Sequence, residues 1–333
     1  MRVVLLGGSG LLGRSIAREL LDRDHDVVVV SRSGTADART VAEGSVVRAD
    51  LVQATDHDLD ALLSGAHAAV YGLGAESRTA LPVPVAHSLH RSLVTTTERC
   101  ARAARRRRVQ HFVVLGSYLS AFDRTHPQWR LAERHPYVRA RVDQAAAAQR
   151  IGAPGTTSVL EIPYVLGTVP GLEPTLKAAL FDRLRRGRFA ITFRGGTAAV
   201  TNTDVAHAVA ALVEGRASAG HYPLAVDNIT YRQLTEAVLA ELDRQVRIVT
   251  VPPPVLTAGL VVHDLTLRAH GRAMAQSPRH LARDILARHL YLDATRCSEP
   301  FGMVPHSVDD ALRETVRASY PEQQTSGYGN HTR

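Results

Sequence analysis

Two hydrophobic patterns alternate through the first half of the chain. Short uninterrupted apolar runs rich in Val, Leu and Ile are followed by longer segments whose apolar residues recur every three or four positions. Uninterrupted runs predict parallel strands covered on both faces, and the longer spacing predicts amphipathic helices. Strands are expected at Val3–Leu6, Val27–Val30, Val46–Arg48, Ala68–Tyr71, Phe112–Leu115 and Thr157–Ile162. Helices are expected at Leu11–Arg23, Asp56–Leu63, Ser88–Arg107 and Tyr137–Ile151; in the first, Leu12, Ile16, Leu20 and Leu21 share a side. This alternation predicts an α/β fold built on a doubly wound parallel sheet.

After Gly167 the rhythm changes. Pro170, Gly171 and Pro174 mark a loop, followed by an expected helix at Thr175–Arg186 and a strand at Phe189–Phe193. Thr201–Val213 reads as a helix with Thr201 or Thr203 as its cap and Asp204 in its first turn. Tyr231–Leu242 is a further amphipathic helix, and Pro252–Pro254 breaks the chain before another helical stretch. The polar tail from Pro321 to Arg333 is expected to be disordered.

Composition narrows the class. Of the 333 residues, 45% are hydrophobic and 22% charged, as in ordinary globular proteins. Met1 is followed at once by the first strand, so no secretory signal is expected. No apolar run reaches the roughly 18 residues of a spanning helix, and Val255–Leu267 is interrupted by His263 and Asp264. Cys100 and Cys297 are far apart and lack metal-type spacing, which fits a cytoplasmic protein without disulfides. The net charge of +8 is carried almost wholly by arginine, Lys177 being the single lysine. The run Arg105–Arg108 has no interleaved aromatics and precedes a strand, so it reads as a solvated helix end and not as a nucleic-acid patch. His87 and His90 lack a third ligand, so no metal is expected. They fall in an expected loop, Ala75–His90, which with Ser77 and Arg78 offers substrate-contact candidates. The apolar stretch Val255–Leu292 is an ordinary packed lobe, a lid or a partner surface.

The sharpest motif lies at the N-terminus. Gly7, Gly10 and Gly13 stand three residues apart, directly after a strand and at the start of a helix. Chain without a β-carbon approaches a pyrophosphate closely, and the amides of Ser9, Gly10, Leu11, Leu12 and Gly13 then face its oxygens at the positive helix end. The second strand ends in Ser31-Arg32-Ser33, with no carboxylate to bind a ribose 2′-hydroxyl. A guanidinium and two hydroxyls there suit a 2′-phosphate, so the expected cofactor is NADP and NAD less so.

With these motifs the chain resembles the extended short-chain dehydrogenase/reductase family, in particular its NAD(P)-dependent epimerase/dehydratase and reductase branches, over about residues 1–315. The resemblance implies that Asp50-Leu51 lies beside the adenine, that Gly72-Leu73-Gly74 follows the fourth strand beside the cofactor, and that Pro163-Tyr164 lies in the motif after strand six. Thr203-Asp204-Val205-Ala206 and the segment from Tyr291 to Leu312 match its later elements. It also implies a catalytic set of Ser117, Tyr137 and Arg141. The tyrosine exchanges a proton with a carbonyl or hydroxyl oxygen, and the serine hydrogen-bonds the same oxygen. Arg141 stands where the family has lysine, and Leu93 where many members have an asparagine that holds a relay water. The implied activity is an NADP-dependent oxidoreductase, or an epimerase or dehydratase, acting on a carbonyl or alcohol of a small, hydrophobic metabolite. The two departures leave open a redox-neutral protein that keeps NAD(P) as a structural or sensing ligand. Residues 1–167 are expected to form the Rossmann domain, with 198–215 returning to it, and 168–320 a smaller C-terminal α/β substrate lobe before the tail at 321–333. A small-molecule substrate and a homodimer are expected, with neither nucleic acid nor membrane as partner.

Overall fold

A computed structural model describes residues 1–34, 45–74 and 80–321; Ser77, Arg78 and the tail after Pro321 lie outside the described residues. Seven strands form the main sheet: β1 (Arg2–Leu6), β2 (Asp26–Ser31), β3 (Val46–Arg48), β4 (Ala68–Tyr71), β5 (His111–Ser117), β6 (Thr157–Ile162) and β7 (His221–Pro223). Their spatial order is β7-β6-β5-β4-β1-β2-β3, and every neighbouring pair is parallel. This is the doubly wound α/β fold. The winding reverses between β1 and β4, which places a crevice beyond their carboxyl ends.

The helices α1 (Leu11–Asp22), α2 (Asp56–Leu62), α3 (Thr96–Arg106), α4 (Pro136–Ile151) and α5 (Asn202–Val213) cover the sheet. Side chains alternate along a strand, so one apolar run feeds two cores. Val3 and Leu5 join α1 and α5 on one face; Val4 and Leu6 join residues of α2, α3 and α4 on the other. Both faces are sealed, which is why β1 shows no polar alternation. Thr55 caps α2 in a reciprocal pairing with Asp58, and the Thr201 hydroxyl caps α5 by accepting from Asp204 N.

Several elements differ from the sequence expectations. The stretch 75–90 is not all loop: Ala80–Pro82 is a strand and Val85–Leu89 a helix, so His87 and His90 are helical. The helix expected from Ser88 therefore starts at Val85 and contains a wide turn at His90–Thr95 before α3. Another wide turn at Lys177–Phe181 precedes the short helix Asp182–Arg186. A second sheet centres on Gly196–Thr201, flanked by Asp227–Thr230, His289–Leu290 and Tyr164–Leu166. Its central strand reads Gly-Thr-Ala-Ala-Val-Thr and is wholly buried, but small residues conceal it from a hydrophobic count. β7 escapes for a related reason: it is a three-residue edge containing Pro223, which an edge tolerates.

Candidate functional site

The candidate residues gather at the carboxyl edge of the main sheet. β1 delivers Gly7 with φ +94°, a backbone geometry that glycine adopts without strain. Amides of Gly7 and Gly8 donate to Val30 O at 2.9 and 3.1 Å, turning the chain into α1. A Cβ on Gly7 would stand 2.9 Å from Leu73 N, and one on Gly13 2.4 Å from Gly8 Cα. These two glycines are therefore demanded by close backbone packing. Gly10 is different: a Cβ there would meet no protein atom within 4 Å. It caps α1 in extended conformation, no side chain accepts from the first turn, and that turn contains no acidic residue. The α1 amides and helix dipole thus face an approachable edge, and the cradle fits the pyrophosphate of a dinucleotide. Ser9 O is held by Arg14 Nε at 3.1 Å, while Leu11 and Leu12 open the helix.

At the end of β2, Ser31 is buried and its Oγ accepts from Gly34 N at 3.1 Å, while Arg32 and Ser33 are exposed. Register pairs Ser31 with Arg48 at the end of β3, and Arg48 Cβ lies 3.1 Å from the Cβ that Gly34 would carry. Two guanidinium side chains therefore stem from adjacent strand ends. Sequence reasoning missed Arg48; the signal was a basic residue ending the strand next to β2. Exposed Asp50 accepts from Val52 N at 3.0 Å, fixing the turn that buries Leu51. Gly72 N donates to Leu6 O at 2.8 Å, so Gly72, Leu73 and Gly74 run beside the glycine loop. Pro163 and Tyr164 are half-buried where β6 gives way to the second sheet.

The structure brings Tyr137 and Arg141 into direct contact. They are one turn apart on α4, and Arg141 Nε donates to Tyr137 Oη at 3.1 Å. Both are buried, at 6% and 7% exposure. Tyr137 N donates to Ala275 O at 3.1 Å, which satisfies an amide that a helix start leaves without a partner. Arg141 Nη1 donates to Leu115 O of β5 at 3.3 Å and to Gln144 Oε1 at 2.8 Å. Its Nη2 lies 2.9 Å from the Cβ position of Gly74, so the cation rests against the cofactor-side loop. Ser117, two residues beyond Leu115, ends the same strand, and its Oγ accepts from Leu119 N at 3.3 Å. That bond leaves the hydroxyl hydrogen available to a further acceptor.

Two further residues were not foreseen. Gln144 is completely buried, and its Nε2 donates to Thr97 Oγ1 at 3.1 Å; Thr97 in turn donates to Leu93 O at 2.5 Å. The apolar Leu93 side chain thus coexists with a buried polar chain that ends on its carbonyl and begins at Tyr137. The foreshadowing signal was Gln144 one turn after Arg141 on an otherwise alanine-rich helix. Away from this site, Asp204, His207 and His306 bring ligand-type atoms within 4.8 Å of one another. Internal bonds account for that grouping: Asp204 accepts from Thr201 at 2.6 Å, His306 Nδ1 lies 2.7 Å from Asp204, and His207 pairs with Glu19 at 3.1 Å. Among the described residues no helix is long and apolar enough to cross a membrane.

The model of the NAD dependent epimerase/dehydratase family matches residues 3–217. The chain is 26% identical over 348 residues to the 2-alkyl-3-oxoalkanoate reductase of Stenotrophomonas maltophilia (strain K279a), covering 96% of this chain and 99% of that protein. The crystal structure of gox2253 is similar with a TM-score of 0.74 at 18% identity, over 96% of this chain and 98% of that one. UDP-glucose 4-epimerase from Thermus thermophilus, solved with NAD, gives a TM-score of 0.65 at 18% identity over 96% and 99% of the two chains.

Proposed function

The chain belongs to the NAD dependent epimerase/dehydratase family and is an NAD(P)-dependent enzyme of the extended short-chain dehydrogenase type, and from that premise we propose that it is an NADP-dependent reductase of a small, hydrophobic carbonyl compound. The glycine loop Gly7–Gly13 holds the pyrophosphate, Asp50 and Leu51 flank the adenine, and Gly72–Gly74 with Pro163 and Tyr164 border the rest of the cofactor. Arg32, with the hydroxyls of Ser31 and Ser33, binds the 2′-phosphate that distinguishes NADP, and Arg48, paired with Ser31 at the end of the neighbouring strand, adds a second positive charge. When bound, the nicotinamide supplies the hydride.

The remaining chemistry belongs to the chain. Tyr137 delivers its phenolic proton to the substrate oxygen, and Ser117 donates a second hydrogen bond to that oxygen. Arg141 donates to the phenol oxygen and stabilises negative charge as it develops there. Arginine does this with a fixed cation, since it does not give up its own proton. The proton that reloads Tyr137 therefore arrives by a route other than through Arg141. Gln144 holds the guanidinium toward the tyrosine. The observation that carries this reading is the buried 3.1 Å bond from Arg141 to Tyr137 beside the cofactor loop. Val85, Leu119, Phe122 and Leu131 are buried in one apolar cluster with Tyr137, and half-buried Leu81 packs against it, so the phenol has apolar surroundings, which suit an alkyl-bearing substrate. The 2-alkyl-3-oxoalkanoates in the name of the Stenotrophomonas relative are such compounds. In this reading residues 1–167 with 198–215 serve the cofactor, and 168–320 chiefly shape the substrate pocket.

Tyr137→Phe tests the proposal. NADPH consumption with a 2-alkyl-3-oxoalkanoate is expected to fall roughly 100- to 10,000-fold, the range of a lost general acid, with NADPH still bound. Unchanged turnover would remove Tyr137 from the mechanism.

A further inference from the structure

Against the sequence expectation of no membrane partner, we propose that the helix Pro253–Ala269, together with the strand Ile248–Thr250 that precedes it and its partner strand Ala190–Thr192, is a docking face for an anionic lipid surface. The helix is apolar on both sides, its inner side carrying half-buried Leu260, Val261 and Leu267 around Asp264. Its single buried residue is Asp264, whose carboxylate accepts from Met274 N at 2.8 Å and pairs with Arg268 at 2.6 Å. At 3.6 residues per turn, Val255 lies about 180° and Val262 about 160° around the axis from Asp264. The outward face is mainly apolar: Val255, Val262 and Leu265 are 62%, 61% and 60% exposed, with exposed Ala258, Gly259 and Ala269 among them, Thr266 as the polar residue in their midst and His263 and His270 at the edge. A surface helix normally turns a polar face outward.

The strands before the helix continue the pattern. Ile191 and Val249 are direct partners in register, 46% and 37% exposed, and Phe189 two positions earlier is 55% exposed. Among the described residues, six of the ten exposed large apolar side chains fall in these two stretches. That is a concentration, unlike the single exposed apolar residues common on monomer surfaces.

Charge selects the occupant. Residues 183–194 and 244–272 together contain nine arginines and one acidic residue, the buried Asp264. Arg185, Arg186, Arg188, Arg194 and Arg247 are exposed. A second copy of this chain would bring like charges together across the face. A layer of anionic headgroups over hydrocarbon complements both the arginines and the apolar stripe. Since no described helix is long and apolar enough to cross a membrane, the helix would lie on the surface.

The face is also joined to the candidate site. The helix leads into the strand Arg272–Met274, which pairs antiparallel with Ala80–Pro82, and Ala275 O then accepts from Tyr137 N. Docking therefore brings an alkyl-chain substrate to the site from the lipid, a consequence that rests on the proposed reductase function; the docking itself does not.

The test is co-sedimentation of the full chain with vesicles of phosphatidylcholine containing about one-third phosphatidylglycerol, read without any turnover assay. Binding is expected to the anionic vesicles and to weaken at least about tenfold on neutral vesicles or in high salt. The triple variant Val255→Ser/Val262→Ser/Leu265→Ser is expected to lose about tenfold or more while melting at the wild-type temperature. Arg185→Gln/Arg186→Gln/Arg188→Gln is expected to weaken only the salt-sensitive part. Wild-type protein left in the supernatant, or a serine variant that sediments like the wild type, would overturn the proposal. So would a concentration-dependent dimer dissolved by the serine changes, which would assign the face to a protein contact.

Discussion

At the scale of single residues, the candidate site is a chain of donors and acceptors with a cation in its middle. Arg141 serves Tyr137 through Nε and Gln144 through Nη1, and Gln144 passes the chain to Thr97. Each group is buried, so each bond constrains the next, and a lost partner leaves a polar atom unsatisfied. Gln144→Leu is expected to lower kcat about tenfold, with KM for NADPH little changed, because it frees the guanidinium to move off the phenol without touching the cofactor. Gln144→Glu keeps an acceptor for Arg141 and is expected to recover part of the loss. Steady-state kinetics on the two variants check this; equal defects in both would reduce Gln144 to a packing role. The cofactor preference is likewise a matter of residues. On the proposed NADP assignment, Arg32→Ala and Arg48→Ala each remove a charge-assisted contact to the 2′-phosphate, for which about 1.5–3 kcal/mol is typical. Calorimetric titration is expected to show NADPH binding weakened about tenfold or more and NADH binding nearly unchanged. Equal losses for both cofactors would contradict the assignment.

At the scale of elements, α4 carries the proposed acid and its cation, and its start is held from outside. Pro136 opens the helix, Tyr137 N donates to Ala275 O, and His135 Nδ1 accepts from Ser277 N at 3.3 Å. His135 is fully buried, and its Nε2 has no hydrogen-bond partner, lying 3.6 Å from Asp284. Burial pushes its pKa down to about 4, against the partial opposing pull of Asp284. The unfolded chain takes up a proton on this histidine near the ordinary value of about 6.5, whereas the folded chain resists until about pH 4. The stability due to neutral His135 is thus full above pH 6.5 and declines toward pH 4. Between pH 7 and 5 it costs on the order of 2 kcal/mol. Urea unfolding at the two pH values is expected to show that difference in the wild type and a smaller one in His135→Asn. An unchanged slope in the variant would place the acid sensitivity elsewhere.

At the scale of the molecule, legibility in the sequence followed burial. β1, β2, β4, β5 and β6 were readable because both faces of the main sheet are sealed, which turns each strand into an unbroken apolar run. The second sheet was not readable. Its central strand Gly196–Thr201 is buried through small residues, and its partners are two to four residues long. The glycine loop was legible because three glycines, a strand and a helix occur in one short segment. Arg48 and Gln144 were not, since their significance depends on which strand lies beside β2 and on what a guanidinium one helical turn away requires. The same whole-molecule arrangement brings Arg141, and with it Tyr137, against Gly74 in the loop that packs on Gly7, and NADPH is proposed to be consumed there. The most direct measurement is transfer of deuterium from NADPH labelled on the nicotinamide C4, with mass spectrometry of the product formed from a 2-alkyl-3-oxoalkanoate. Deuterium is expected on the carbinol carbon of the product, with an equal amount of oxidised cofactor. A product without label, or a converted substrate with the cofactor left reduced, would contradict it.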